Sequence, residues 1–326
     1  MKIISQGSFI ALTATAFVIF NVATPTAFAQ GSLTPPGPPA PTMKTLDQVE
    51  PRTPVDLIHT PAGGYGVYAI TNPGSYYLTT NIAGVSGTYG IEIMTNHVTL
   101  DLNGFALTGG GLGAAGVDVA YGANDVTVRN GSISGFADGV DSEGFDTVLD
   151  NLRITGCSES AIYFFYSPSV VRNCLCDSNG VSLYSPGVAI NGGVISGCTI
   201  LNSGGDGLDF YGNGGTVSDC VVSGSHGYGI SASGSNAQIL GNTLNGNTYI
   251  AILMNGNNNR IEGNHVITPH GTVGIEVAGS EDTNNIVIRN TVSGNGASNY
   301  SNPGNNDFGP IGTAATATSP WANISH

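Results

Sequence analysis

Residues 207–233 read GLDFYGNGGTVSDCVVSGSHGYGISAS, and the phrase that opens the stretch returns near its end: GLDF at Gly207, then GISA at Gly229. Each phrase is a small residue, an apolar one, a variable one and usually another apolar one. Read outward, the phrase recurs as GVAI at Gly187, AIYF at Ala161, GVDS at Gly139, GVDV at Gly116 and GIEI at Gly90. Toward the C-terminus it recurs as AILM at Ala251 and GIEV at Gly274. The steps are 26, 23, 22, 26, 20, 22, 22 and 23 residues. Alternation of period two inside a unit of about 22 residues is what one coil of a β-solenoid needs, because each coil buries its apolar face only against its neighbours. No window sustains a 3.6-residue apolar period, so helical repeats are excluded.

A second column checks the phase. Once per unit an apolar-x-x-z phrase places Leu152, Cys174, Cys198, Cys220, Asn242, Asn264 and Asn290 at z, in steps of 22, 24, 22, 22, 22 and 26. Like falls above like: three cysteines, then three asparagines whose amides can hydrogen-bond from coil to coil inside a bend. The expected fold is a right-handed parallel β-helix of about nine coils over residues 90–298. In-register cysteines aim their Cβ atoms the same way, so we expect the five cysteines (157, 174, 176, 198 and 220) to form a buried thiol ladder rather than disulfides.

The flanks differ in composition. Lys2, the apolar run from Phe9 to Ala23 and the small residues before Gln30 read as a signal peptide over residues 1–29. Residues 30–42 are a Pro-rich linker, and 43–89, with β-prone runs around Asn72-Pro73-Gly74, read as an N-terminal cap. Residues 299–326 hold the only tryptophan, Trp321, and read as a tail that folds back over the last coil. The chain has 49 glycines and 40% hydrophobic but only 9% charged residues, a turn-rich ordered composition and not a disordered one. Its net charge of −14 repels nucleic acid and anionic membranes and suits cations or hydroxyl-rich ligands. The reading is thus of a secreted, periplasmic or cell-surface monomer with no membrane span after cleavage.

Within each phrase the apolar pair points inward and x points out. The x column reads Glu92, Asp118, Asp141, Tyr163, Ala189, Asp209, Ser231, Leu253 and Glu276, and the outward position two residues on includes Glu143, Phe165, Asn191 and Tyr211. Stacked carboxylates repel unless a cation, a shared proton or a ligand compensates. Asp118 and Asp141 are candidate catalytic acids, with a one-coil separation of about 5 Å near the spacing of retaining glycosidases. Asp118, Asp141 and Glu143 are equally candidate calcium ligands. Glu92, Glu143, Tyr163, Phe165, Asn191 and Tyr211 are candidate sugar-binding residues. A solvated acidic face with no ligand stays open beside these readings. The loop 177–186 (DSNGVSLYSP) is expected to rise beside this face, and Arg129, Asp150 and Arg172 fall in one outward column that reads as surface ion pairs.

The repeat with its inward asparagines resembles the pectin-lyase-like superfamily over Gly90 to about Ser298. The phrases NPGSYYLTTNI (72–82) and VTLDLNGFALTG (98–109) are similar to those of secreted bacterial β-helix proteins. The resemblance implies polysaccharide binding, or processing by a lyase or glycoside hydrolase; a structural or adhesive solenoid is the alternative. GDGLD (205–209) followed by SHG (225–227) is similar to acid and histidine motifs of polygalacturonases, which adds Asp206, Asp209 and His226 as candidate catalytic residues. That family's Asn-Thr-Asp motif is replaced here by Tyr184-Ser185-Pro186, and its Arg-x-Lys motif has no counterpart.

Overall fold

The computed structural model describes residues 51–111, 113–166, 168–267 and 273–326. The expected signal peptide, the linker and residues 43–50 of the expected cap lie outside the described residues. Eleven strands hydrogen-bond side by side and in parallel in one sheet, from Gly66–Ile70 through Val140–Ser142 to Ser298–Ser301. The other strands form two further faces, which share the long strands Val126–Ser134 and Val148–Thr155 that run across the corner between them. The result is a three-sided parallel β-helix, right-handed as parallel crossovers are.

Alternation drives the coils. Val117, Val140, Ile162, Val188, Leu208, Ile230 and Ile252 stack in register, all buried. Each such side chain contributes about 1.5–3 kcal/mol of burial. The small residue that opens each phrase has a steric cause: a Cβ at Gly139 would collide with the Ile154 methyl and the Ala161 carbonyl.

Among the described residues, eleven coils replace the nine expected. The segment read as a cap already contains a coil, since Tyr68 and Ile70 sit beneath Ile91 and Ile93. The segment read as a tail adds another, with Tyr300 above Ile275 and Phe308 above Val287. Both escaped the repeat pattern because Val67 and Asn299 stand where the phrase has Gly or Ala.

The corner between the second and third faces is a single residue in the left-handed region. Asn130, Asn151, Asn173, Asp219 and Arg289 hold φ of 54–60° there, a conformation that Asn and Asp tolerate and Arg does not favour. Arg289 is held by its contacts: Glu262 at 2.9 Å, the Pro320 carbonyl at 3.1 Å and the Trp321 ring at 4.4 Å. Trp321 thus folds back against the lateral face. The next residue of each corner points inward and forms the ladder. Asn264 Oδ1 accepts from the Asn242 backbone N–H at 2.9 Å and from its amide at 3.0 Å. Asn290 Oδ1 does the same for Asn264. Asn323 completes the series for Asn290 at 3.0 and 3.1 Å, a fourth rung supplied by the tail.

All five cysteines are free and buried. Burial pushes the Cys157 thiol up to about 12 and raises that of Cys176 as well. We expect a thiol reagent to modify none of the five in the native protein and all five in denaturant; fast native labelling would show that the ladder is open. The expected charged column is present and longer than read: Asp101, Arg129, Asp150 and Arg172 stack in register. Arg129–Asp101 and Arg172–Asp150 both pair at 3.1 Å. The more exposed pair, Arg172–Asp150, contributes at most about 1 kcal/mol, whereas Asp101 is buried.

Candidate functional site

The eleven-stranded face carries the x column. Register pairs join Ala69, Glu92, Asp118, Asp141, Tyr163, Ala189, Asp209, Ser231, Leu253 and Glu276 in one line. Neighbours on that line are about 4.8 Å apart at the backbone. Asn191, Tyr211, Ser233 and Asn255 form the adjacent column. Asn191 donates its amide to the Phe165 carbonyl at 2.8 Å, which ties successive rungs of that column together.

At the N-terminal end of the line the chemistry changes from what the pattern suggests. Glu92 is buried, and its Oε2 accepts the Tyr65 N–H at 2.7 Å. The Gly64–Gly66 backbone lies so close over this carboxylate that even a Cβ on Gly64 would strike it. Glu92 is therefore an anchor for the first coil and not a residue that meets a ligand.

Asp118 comes next, also buried, with its carboxyl pushed up to about 7 by desolvation and then by the charges of Asp141, Glu92 and Glu143. Asp141 is half-buried and raised to about 6 by desolvation and by Glu143. Glu143 is exposed. A further acid joins them that the column did not include. Asp138 is pushed up to about 7 by desolvation, with Asp141 and Glu159 adding to the rise and the Ser160 N–H at 2.9 Å opposing it. It sits just before the glycine of the phrase, outside the x position. The repeated spelling DGVD (138–141) and DGLD (206–209) was the signal that could have found it. Tyr89 lies over the same acids, its hydroxyl raised to about 12 by desolvation and then by Asp118. Among the described residues, no three His, Cys, Asp or Glu side chains are gathered as metal ligands would be. Asp118 and Asp141 are thus neighbours one rung apart, both with carboxyls raised by burial and by nearby negative charge.

Beyond the acids the face turns aromatic. Tyr163 and Phe165 stack at 6.1 Å and 28°, Phe165 meets Tyr166 edge-on at 4.7 Å, and Tyr166 meets Tyr121 at 5.9 Å. Phe165, Tyr166 and Tyr121 are exposed. Tyr121 and Tyr166 were not visible to a strand-register reading because they sit in the turns after the strands. The Tyr211 hydroxyl donates to the Phe164 carbonyl at 3.1 Å, so its ring reaches back across two rungs. Burial raises the Asp209 carboxyl, offset by a hydrogen bond from the Ser231 hydroxyl. Asp206 is pushed up to about 6 by burial, with the Tyr228 N–H at 2.7 Å opposing and Asp209 adding.

His226 does not join these two acids. Its Nδ1 lies 3.1 Å from the Ser203 carbonyl. Its ring lines a depression of about 360 Å³ with Val181, Leu183 and Asn202. Among the described residues no hydrogen bond or ion pair links His226 to Asp206 or Asp209. The one-coil step from GDGLD to SHG places the backbones next to each other, but the corner turns the imidazole away. The 177–186 loop walls this His226 depression, so it stands at a corner and not over the acidic row.

Comparison with known proteins agrees with the fold. A family model described as a right handed beta helix region matches residues 186–308. The Dettilon tailspike protein gp208 superposes with a TM-score of 0.54 at 16% identity, covering 79% of this chain and 59% of that one. ORF18 of Geobacillus virus E2 gives 0.54 at 13% identity, covering 73% and 54%. The A-module of the mannuronan C-5 epimerase AlgE4 of Azotobacter vinelandii gives 0.44 at 14%, covering 78% and 91%. No curated protein matches. The chain is a right-handed parallel β-helix, and it spans a little over half the length of the two viral proteins.

Proposed function

We propose that the eleven-stranded face binds a neutral, hydroxyl-rich glycan chain outside the cell. The observation that carries this reading is the adjacency, on one face and its flanking turns, of protonatable acids (Asp118, Asp138, Asp141) and an aromatic platform (Tyr163, Phe165, Tyr166). Carboxyls accept and donate hydrogen bonds to hydroxyls, and aromatic faces take the C–H side of a pyranose. The chain's net charge of −14 disfavours a polyanion at neutral pH. Among the described residues no helix is long and apolar enough to cross a membrane.

Processing is a further step on the same residues. Asp118 and Asp141 lie one rung apart, about 4.8 Å at the backbone, near the ~5–5.5 Å carboxyl spacing of retaining glycosidases. A carboxyl raised to about 7 holds its proton for a leaving group at neutral pH. Asp141, more exposed and more acidic, would serve as the partner carboxylate. The second reading is a glycan-binding surface without turnover.

Retention on insoluble neutral polysaccharides, with reducing ends assayed in the supernatant, tests both. Phe165→Ala should weaken retention about tenfold, the scale of one aromatic contact. Asp141→Asn should abolish reducing-end release while retention persists. Retention without release assigns binding alone; no retention on any polymer overturns the proposal. Calcium is the rival counter-charge for Asp118, Asp141 and Glu143. Melting with calcium against chelator separates it from protonation, since only a bound cation raises the melting temperature.

A further inference from the structure

A depression lies away from this face, at the corner between the second and third faces. It measures about 510 Å³ and is lined by Asn130, Asn151, Asn173, Arg153 and Leu175, with Leu152 and two glycines beneath. That volume is within the usual range for a small-ligand site, about 300–1,000 Å³. At the left-handed corner, Asn151 donates its amide to Asn130 Oδ1 at 3.0 Å, and Asn130 donates on to Asp101 at 3.2 Å. Asn173 donates to Asp150 at 3.1 Å. The amides are thereby held in place. Asn151 Oδ1 accepts nothing from the described residues and faces outward as an acceptor.

Arg153 is the unusual member. Every other described arginine has a carboxylate: Arg52 and Arg129 share Asp101, Arg172 has Asp150, and Arg260 and Arg289 share Glu262. Arg153 stands between Ser132 and Leu175 in the ladder and, among the described residues, makes no ion pair or hydrogen bond through its side chain. The nearby acids are engaged elsewhere: Asp101 and Asp150 by their arginines, Asp177 by the Asn202 amide at 2.9 Å and by the Ser178 hydroxyl. In a chain of net charge −14, a lone guanidinium beside fixed amides is an uncompensated positive field in an acidic surface.

We propose that this corner cleft binds a hydroxylated carboxylate, with Arg153 clamping the carboxylate and Asn151 accepting a hydroxyl. A guanidinium matches a carboxylate with two parallel N–H donors, which a point charge does not. Leu175 offers apolar contact to the carbon skeleton. The site is separate from the glycan face and does not depend on it.

Calorimetric titration of the full chain with gluconate, glucose and inorganic phosphate at low salt tests the assignment. Gluconate should bind, and glucose, of the same skeleton length without the charge, should not. Arg153→Gln should weaken gluconate at least about tenfold, and Arg153→Lys should recover only part of it. Arg260→Gln, which removes an arginine already paired with Glu262 away from the cleft, and Phe165→Ala, on the other face, should leave gluconate binding unchanged. Circular dichroism confirms that each variant is folded. The proposal is overturned if gluconate does not bind, if Arg153→Gln binds as wild type, or if glucose or phosphate binds as tightly as gluconate.

Discussion

Asn264→Ala should destabilise the protein by about 3–5 kcal/mol, read as a lower denaturant midpoint, because it opens the asparagine ladder at its middle. Asn264 Oδ1 takes both the backbone N–H and the amide of Asn242, and its own amide donates to the Ile239 carbonyl at 2.9 Å and to Asn290 at 3.0 Å. Alanine leaves the Asn242 N–H buried without a partner, costing about 1–3 kcal/mol, and strips one donor each from the Ile239 carbonyl and Asn290 Oδ1, about 1 kcal/mol apiece. The comparison variant is Asn255→Ala, on the outer face, which should change stability by less than about 0.5 kcal/mol. Equal effects of the two substitutions would show that the ladder holds nothing together.

Neutralising one acid of the row should have the opposite sign. Asp118→Asn should stabilise the protein at about pH 8 by about 2–4 kcal/mol, the worth of a roughly three-unit shift with some relief from its neighbours' adjustment. The folded carboxyl titrates near 7 against 3.8 for its ordinary value, so the folded state binds more protons than the unfolded one between those limits. Stability therefore falls as pH rises through about 4 to 7, and the penalty stands in full above it. Below about pH 4 both states are protonated and the difference between variant and wild type should vanish. In melting temperature the gain at about pH 8 is on the order of 5 °C. A variant that melts below wild type at that pH would mean that Asp118 is held charged by a compensating partner, and calcium would be the first to examine.

The fold was legible because a solenoid repeats its constraints. One phrase sets the inward pair and the Cys-to-Asn column sets the phase, and together they determine the line from Glu92 to Glu276. The end coils were not legible, since Val67, Asn299 and the 33-residue step to Asn323 break the spelling while keeping the geometry. Site residues divided along the same boundary. Asp118, Asp141, Tyr163 and Asp209 sit on strands, where register decides direction. Asp138, Tyr121, Tyr166 and His226 sit in turns, where a single left-handed residue re-aims the chain beyond it. The sealing of Glu92 by Tyr65 depends on a loop from the preceding coil, which spacing alone does not encode.

The outward line has a further consequence for how such a protein changes over generations. Its letters occupy equally spaced positions above a core that alternation keeps separate, so those that are not buried, as Glu92 and Asp118 are, can be exchanged with little cost to packing. Duplicating or deleting one 22-residue unit shifts everything above it by a single step and leaves both ends, with Tyr65 at one and Asn323 at the other, intact. The surface behaves as a ruler whose marks can be reassigned and whose length can be altered in whole divisions, which lets one scaffold be refitted to ligands of different reach.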